Sequence, residues 1–441
     1  MQDGCIRVDG KRASRANLRK TVYYCSNDTV TQFFTNSVSE ELLLNMKQNK
    51  KTICDAKDLL KRMHLYKYKD VHPQSLSGGQ RQRLAVCCAL LSEKKILIFD
   101  EPTAVLTPQE INELIQIMRN LSAEGKAIIL ITHKLQEIMD SASRCTIIRK
   151  GKFIDVVDIA ATTKNELASK MVGRPVDFKV PKQPCKPGNV VLDIKNLTVL
   201  KEKKLTAVDN FSLDVRGGEI VGIAGVDGNG QSELVYALAG LMPTESGAIM
   251  LDGQDISKMS IRKRAEAGLG HVPEDRQKHG LVLQYSIAEN TVIKSYYTKE
   301  FQRHGFLLRD KITAFAEKIA SGFDVRSGQG ILSKAGELSG GNQQKAILGR
   351  EITLLPKLLI AVNPTRGLDV GAIESIHKEI VKHRDKGYGV LLISFELDEI
   401  FNLSDRIAVM HRGRLSGIVK PEETTAEEVG LMMAGMGGKN D

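Results

Sequence analysis

Two adjacent carboxylates at the end of an apolar run are the first sign of chemistry in this chain. Residues 96–99, Ile-Leu-Ile-Phe, are long enough for one buried parallel strand, and they end on Asp100-Glu101. At the carboxyl end of a strand, Asp100 suits a magnesium ion held through water, and Glu101 suits a water about to attack. A second apolar run, residues 127–131, ends on Thr132-His133 and brings an imidazole to the same edge of the same sheet. Upstream, residues 76–80 read Leu-Ser-Gly-Gly-Gln and open a helix. Its first turn, at Ser77, Gly78 and Gly79, leaves backbone N–H groups unpaired and able to receive a phosphate. The bland reading is a glycine turn, an acidic loop and a surface histidine; the order and spacing of all three argue against it.

The elements that must position these groups occur twice. Residues 338–342, Leu-Ser-Gly-Gly-Asn, match residues 76–80 at an offset of 262, so Ser339, Gly340 and Gly341 repeat the helix-opening turn. The same offset carries Asp100-Glu101-Pro102-Thr103 onto Val362-Asn363-Pro364-Thr365, and LITHKLQEI from Leu130 onto LISFELDEI from Leu392. A constant offset across three separated motifs argues duplication. Near the start the offset falls to 243, Val8-Asp9-Gly10-Lys11 matching Leu251-Asp252-Gly253-Gln254. The second copy therefore holds 19 more residues between these points, expected in its helical part or the connection into it.

Along the chain, a hairpin is expected from Cys5 to Val8, and amphipathic helices around residues 51–65 and 107–125, the latter with Pro108 early in its first turn. Residues 175–188 contain Pro175, Pro181, Pro184 and Pro187 and read as a stiff, extended linker. The expected organisation is a first domain at 1–175, a linker at 176–189, a second domain at 190–433 and a frayed tail at 434–441. In the second domain the apolar run 220–224 leads into GVDGNGQS, residues 225–232, and then a helix. Strand, Gly-rich loop and helix is the order a phosphate cradle needs, with Gly225, Gly228, Gly230, Gln231 and Ser232 as its candidate groups.

These motifs resemble those of ABC-type ATPases: signature loop, Walker B with its glutamate, switch histidine and, in the second copy, a P-loop. Within that family the markers DEPTAVLTPQE, MVGRP, GVDGNGQSE, VPEDR, ELSGGNQQK and NPTRGLDVGA resemble tandem ATP-binding subunits of bacterial importers for simple sugars and nucleosides. Residues 22–45 look more like the ATPases of vitamin and metal-ion importers. The resemblance implies an α/β fold: two P-loop NTPase domains, each a mixed, mostly parallel sheet with a helical subdomain, binding ATP and Mg2+. It implies permease subunits in the membrane and, indirectly, a substrate-binding protein as partners, and a place on the cytoplasmic side of the cell membrane. It also implies that each nucleotide lies between the Walker motifs of one domain and the signature loop of the other.

By that reading the first domain supplies Asp100 for magnesium, Glu101 as the base and His133 at the terminal phosphate, opposite Ser339, Gly340 and Gly341. Its P-loop is not found: the spacing from Gln231 to Asp252, applied to Asp9, falls ahead of Met1. The first strands are expected there too, which implies a truncated or composite reading frame, an unpaired sheet edge and a first domain less stable than the second. Asn27 stands nearest the glutamine that the family carries after the following strand. The second domain, opposite Ser77, Gly78 and Gly79, has Gln231 in place of lysine, Val362 in place of aspartate, Asn363 in place of glutamate and Phe395 in place of histidine. Binding through backbone N–H groups can persist there, whereas hydrolysis cannot.

Bulk properties fit this reading. Hydrophobic content of 42% and charged content of 26% are those of a globular protein, and no run reaches membrane-spanning length. The seven cysteines match neither a disulfide framework nor a zinc spacing, so reduced, mostly buried thiols are expected. A formal charge of +10 permits nucleic acid as a partner, but Trp is absent and aromatics are 5%, so stacking platforms are scarce and none is expected. Two rival readings stand beside the importer: a non-catalytic nucleotide-binding scaffold, and a soluble ABC factor acting on the ribosome or DNA.

Overall fold

The apolar five-residue runs become parallel strands, and the surface each must bury decides what packs around it. The computed structural model describes residues 5–26, 31–46, 53–76, 78–92, 94–103, 108–149, 151–176, 180–201, 205–226 and 228–436. It divides into two units, Met1–Pro175 and Val176–Asp441.

In the second unit a six-stranded sheet runs in the order Leu269–Val272, Leu358–Val362, Gly389–Ile393, Ile220–Ala224, Arg406–His411 and Arg414–Val419. All neighbours are parallel except the last pair. Leu358–Val362, Gly389–Ile393 and Ile220–Ala224 are buried at every position, which is why they read as unbroken apolar runs. On one face Val221, Ile223, Ile360, Leu391 and Met410 share a core with Leu192, Phe211 and Ile249 of an antiparallel four-stranded sheet. On the other, Leu359, Leu392 and Ile407 share one with Ile347 and Ile376, from helices Gly340–Thr353 and Val370–Asp385.

The helical part of this unit includes Ile287–Val292, opened by a Ser286/Glu289 capping box, and Arg309–Gly322. Residues 293–308 between them, with the small hairpin Gln302–Arg303/Phe306–Leu307, stand where the first unit has only residues 47–52. A large part of the second copy's excess lies here. The Pro-rich stretch is extended but does not stand apart as a spacer. Lys182 donates to the carbonyls of Leu403 (3.1 Å) and Ser404 (2.8 Å), Arg384 donates to that of Gln183 (2.7 Å), and the Gly188 N–H donates to that of Gly217 (2.8 Å). These bonds lay it along the second unit.

In the first unit Val22–Cys25, Ile96–Asp100 and Ala127–Ile131 form a three-stranded parallel sheet. Arg144–Arg149 and Lys152–Asp158 form a separate antiparallel pair. At the offset of 262 these last four strands fall on Leu358–Val362, Gly389–Ile393, Arg406–His411 and Arg414–Val419. Between the second and third of that set the second unit places Ile220–Ala224. Among the described residues of the first unit, nothing pairs with that edge of Ala127–Ile131. One face of the first unit's sheet is covered, Cys25, Leu97 and Phe99 packing with Leu42, Leu84 and Leu114. The other is open among the described residues: Ile129 is 49% exposed and Ile131 46%, whereas their counterparts Leu391 and Ile393 are at most 1% exposed; in the separate pair, Ile148 is 67% exposed.

The thiols are more exposed than composition suggests: Cys25, Cys87 and Cys88 are buried, Cys5 and Cys54 exposed, and all seven are free. Burial pushes the Cys87 thiol up to about 12. The helix expected around residues 51–65 is Ile53–Arg62, and the expected hairpin pairs Arg7–Val8 with Lys11–Arg12.

Candidate functional site

Asp100 ends its strand opposite Ile131, and the next residue turns sharply. Glu101 has φ 47°, a left-handed conformation uncommon for a side chain this long, and its N–H donates to the Ile131 carbonyl (2.9 Å). One carboxylate oxygen, Oε1, lies 2.7 Å from His133 Nδ1 and accepts from the His133 backbone N–H at 3.2 Å. The other, Oε2, is buried and has no hydrogen-bond partner. A buried acceptor held in place with one oxygen open is a fit for a water poised to lose a proton. So the structure brings Asp100, Glu101 and His133 to one edge.

Sequence reasoning missed Tyr24, whose hydroxyl donates to Asp100 Oδ2 at 2.6 Å. That bond, and burial after it, raise the tyrosine's pKa. Tyr24 pairs with Ile98 across the ladder, two residues short of the edge, and the phenol is long enough to span the difference. The Asp100 carboxylate fits a magnesium ion as an oxygen donor. Asn27, expected nearby, lies outside the described residues.

A supporting group was also missed. Glu137 accepts from Thr103 (2.5 Å) and from Thr132 (3.0 Å), tying the loop after Glu101 to the turn that carries His133. In the second unit Glu399 takes the same place, accepting from Thr365 (2.7 Å) and lying 2.7 Å from His377 Nε2. The aligned LQEI and LDEI segments contain both glutamates, so the repeat held the signal.

In the second unit the strand Ile220–Ala224 passes through Gly225 into the helix Gln231–Ala239. Glycine is required at two points. A Cβ at Gly225 would stand 2.3 Å from Gln231 Nε2 and 2.9 Å from the Met410 carbonyl oxygen. At Gly230, where φ is 102°, it would stand 2.3 Å from the Ala207 carbonyl oxygen. A Gly-containing loop entering a helix start is an arrangement that could receive phosphate on backbone N–H groups, those of Gly228 and Ser232 being the candidates. Gln231, buried where the family has lysine, donates from Nε2 to the Val226 carbonyl (3.1 Å) and adds no charge. Asp227 lies outside the described residues.

The edge beyond repeats the first unit's geometry with other atoms. Asn363 has φ 43° and its N–H donates to the Ile393 carbonyl (2.7 Å). Its Oδ1 accepts from the Phe395 backbone N–H (3.0 Å), and its Nδ2 is buried without a partner. Val362 offers nothing to a metal ion.

Ser339 N-caps the helix Gly340–Thr353 without a side-chain cap bond; its hydroxyl accepts from Asn342 Nδ2 at 2.9 Å. Packing is closest at Gly341, where a Cβ would stand 3.0 Å from Ala372 Cβ; at Gly340 it would meet only the movable end of Arg276. The matching helix of the first unit is Gly78–Leu91, with Gly79 in its first turn; Ser77 lies outside the described residues.

A sequence profile described as ABC transporter matches residues 1–104 and 208–366. The nucleoside import ATP-binding protein NupA of Lactococcus lactis subsp. cremoris is 51% identical over 409 residues, 92% of this chain and 80% of that protein. The guanosine import ATP-binding protein NupO of Bacillus subtilis is 50% identical over 408 residues, 91% of this chain and 80% of that one. The ribose import ATP-binding protein RbsA of Streptococcus agalactiae is 36% identical over 400 residues, 90% of this chain and 78% of that protein.

Proposed function

The chain belongs to the ABC transporter family, and from that we propose that it is the ATP-binding subunit of a nucleoside importer, its first unit bearing the hydrolytic groups and its second holding nucleotide uncleaved. The observation that carries this reading is the Glu101–His133 pair at 2.7 Å beside Asp100, against Asn363, Phe395 and Val362 at the same places in the second unit. ATP with magnesium would supply the phosphoanhydride and the charge that polarises it. Glu101 Oε2 would take the proton of a water, while His133, held through Nδ1, would keep Glu101 oriented and bring its ring to the terminal phosphate. Asn363 has no proton-accepting atom free, so no water is activated in the second unit.

Nucleoside is favoured over sugar as the cargo because the relatives at 50–51% identity are named for nucleosides and that at 36% for ribose. Among the described residues no helix is long and apolar enough to cross a membrane, so passage requires permease subunits. The chain would dock on them at the cytoplasmic face, with a substrate-binding protein delivering cargo on the other side.

A second reading, a non-catalytic nucleotide-binding module, has in its favour Val362, Asn363 and Phe395 of the second unit, which offer neither a metal ligand nor a base. The deciding experiment is uptake of radiolabelled guanosine, with ribose as control, into vesicles holding the permease and this chain. ATP-dependent guanosine uptake that Glu101→Gln reduces about a hundredfold or more supports the catalytic reading. Uptake indifferent to Glu101→Gln overturns it in favour of the module.

A further inference from the structure

The small hairpin Gln302–Arg303/Phe306–Leu307 lies in the second copy's excess and takes no part in either candidate nucleotide site. Two-residue strands do not hold themselves together, so other contacts must fix its shape. His304 (φ 51°) and Gly305 (φ 84°) are both left-handed, the pattern of a tight type I′ turn. The Gly305 N–H donates to Gln302 Oε1 (2.9 Å). At the base, the Leu308 N–H donates to the Phe301 carbonyl (2.8 Å). The Phe301 ring, 1% exposed, meets that of Phe315 edge to face at 5.0 Å. Phe315 belongs to the helix Arg309–Gly322, so the hairpin is rooted in that helix.

What this root holds out is apolar. Phe306 is 79% exposed and Leu307 53%. By contrast Phe301 is buried, and the Tyr297 ring carries the Arg262 guanidinium 3.3 Å from its centre. Cations accompany the exposed pair. Lys299, Arg303, Arg309 and Lys311 are exposed, and among the described residues none of them is in an ion pair; Glu300 and Asp310 are the exposed acids of the same stretch. Arg303 stands opposite Phe306 in the register, so guanidinium and ring share one face of the hairpin. Leu307, the next residue, points to the other face. A single exposed apolar residue is ordinary, but a fixed turn showing two of them amid unpaired cations is not. Apolar groups on both faces suit entry tip first into a soft medium better than docking of one face on a protein. An anionic lipid surface supplies both halves of the match, phosphates for the cations and acyl chains for the tip.

We propose that this hairpin is a membrane-surface anchor. Phe306 and Leu307 reach the acyl boundary of an anionic bilayer, while Arg303 and Arg309 meet lipid phosphates. The anchor holds the second unit at the bilayer without help from a permease subunit. It uses neither nucleotide nor hydrolysis, and so goes beyond the importer reading.

The chain has no Trp, so Phe306→Trp gives the intact 441-residue protein a single reporter at the tip. With vesicles of phosphatidylcholine and phosphatidylglycerol, its emission should shift to the blue and be quenched by lipids brominated on the acyl chains. With phosphatidylcholine alone neither should happen. In sedimentation with the mixed vesicles, Phe306→Ser together with Leu307→Ser keeps every charge and should weaken binding about tenfold. Arg303→Glu together with Arg309→Glu should weaken it about tenfold or more. Lys11→Glu together with Arg12→Glu, exposed residues of the first unit, removes the same charge from another part of the surface and should change binding by less than about twofold. Absence of the blue shift overturns the proposal, as does equal binding to the two kinds of vesicle. Equal losses from the two charge reversals also overturn it, by assigning the binding to the charge of the whole chain. Hairpin variants that keep vesicle binding but lose co-purification with permease subunits make the partner a protein and overturn it too. None of these readouts involves nucleotide or transport, so failure here leaves the importer reading, judged by uptake, where it stood.

Discussion

Ile129 and Leu391 occupy the same strand position in the two units, one half exposed and one with no exposure at all, and truncating each to alanine should give unequal costs. Leu391 lies between a helical layer and an antiparallel sheet, and Leu391→Ala removes buried methyl groups and leaves a cavity. Such changes cost about 2–5 kcal/mol, and a central strand with no slack belongs near the middle, about 3 kcal/mol. Ile129 is 49% exposed, so only about half of the roughly 1.5–3 kcal/mol transfer term is at stake, and no closed cavity forms. Ile129→Ala should therefore cost about 1 kcal/mol. Because the chain has two units, a single melting temperature would blend them; hydrogen exchange read peptide by peptide, in increasing urea, separates them. A sharper form replaces each residue with lysine. Ile129→Lys should be tolerated within about 1 kcal/mol and should reduce any self-association through the bare edge, whereas Leu391→Lys should unfold the second unit. If Ile129→Ala costs as much in its unit as Leu391→Ala does in the other, the Ile129 face is covered and the reasoning fails.

Two further outcomes concern the second unit. His383, buried and stacked on Tyr388 at 4.6 Å, is pushed down to about 4 by burial. Its ordinary value is 6.5, so the unfolded chain takes up a proton between pH 6.5 and 4 that the folded one refuses. The stabilising effect is whole above pH 6.5 and lost as the pH falls, about 2 kcal/mol by pH 5; His383→Phe should remove that part of the acid sensitivity in urea titrations at pH 7.5 and 5. Glu351, fully buried, would be raised by burial alone, but Lys294 (2.6 Å) and Arg350 (2.9 Å) hold it down at about 2. Lys294→Met leaves that charge half compensated and should cost the second unit about 3 kcal/mol, measured by urea unfolding at pH 7.5.

The parts of the fold that were legible in the sequence are those whose burial is symmetrical. Residues 220–224, 358–362 and 389–393 are apolar at nearly every place because both faces are covered, and that pattern marks a parallel strand. The glutamate–histidine pair was legible for another reason: Glu101 and His133 each stand two places beyond an apolar run, so both had to reach one edge. Tyr24 was not, because its reach to Asp100 depends on register and side-chain length, neither of which leaves a periodic trace. Nor was the docking of residues 180–189, since prolines report an extended backbone but not what lies beside it. The aligned Glu137 and Glu399 were in view and carried no weight until each was seen to hold a threonine.

That last pair bears on how the second unit came to differ. If the edge of the second unit had simply decayed, its supporting bonds should have decayed with it. Instead Thr365–Glu399 repeats Thr103–Glu137, and the left-handed turn is kept at Asn363 as at Glu101. The bond from the backbone N–H 32 residues on is kept as well, from Phe395 as from His133. A strained φ at a non-glycine residue persists only where its surroundings hold it. The scaffold that aims residue 363 is therefore intact, and what changed is the chemistry of the atoms it aims: aspartate to valine, acceptor to donor, imidazole to phenyl. These replacements take away the carboxylates and the imidazole and leave the glycines at 225, 228 and 230 in place. On the proposed function, a unit altered in that way would keep its shape around a nucleotide without cleaving it.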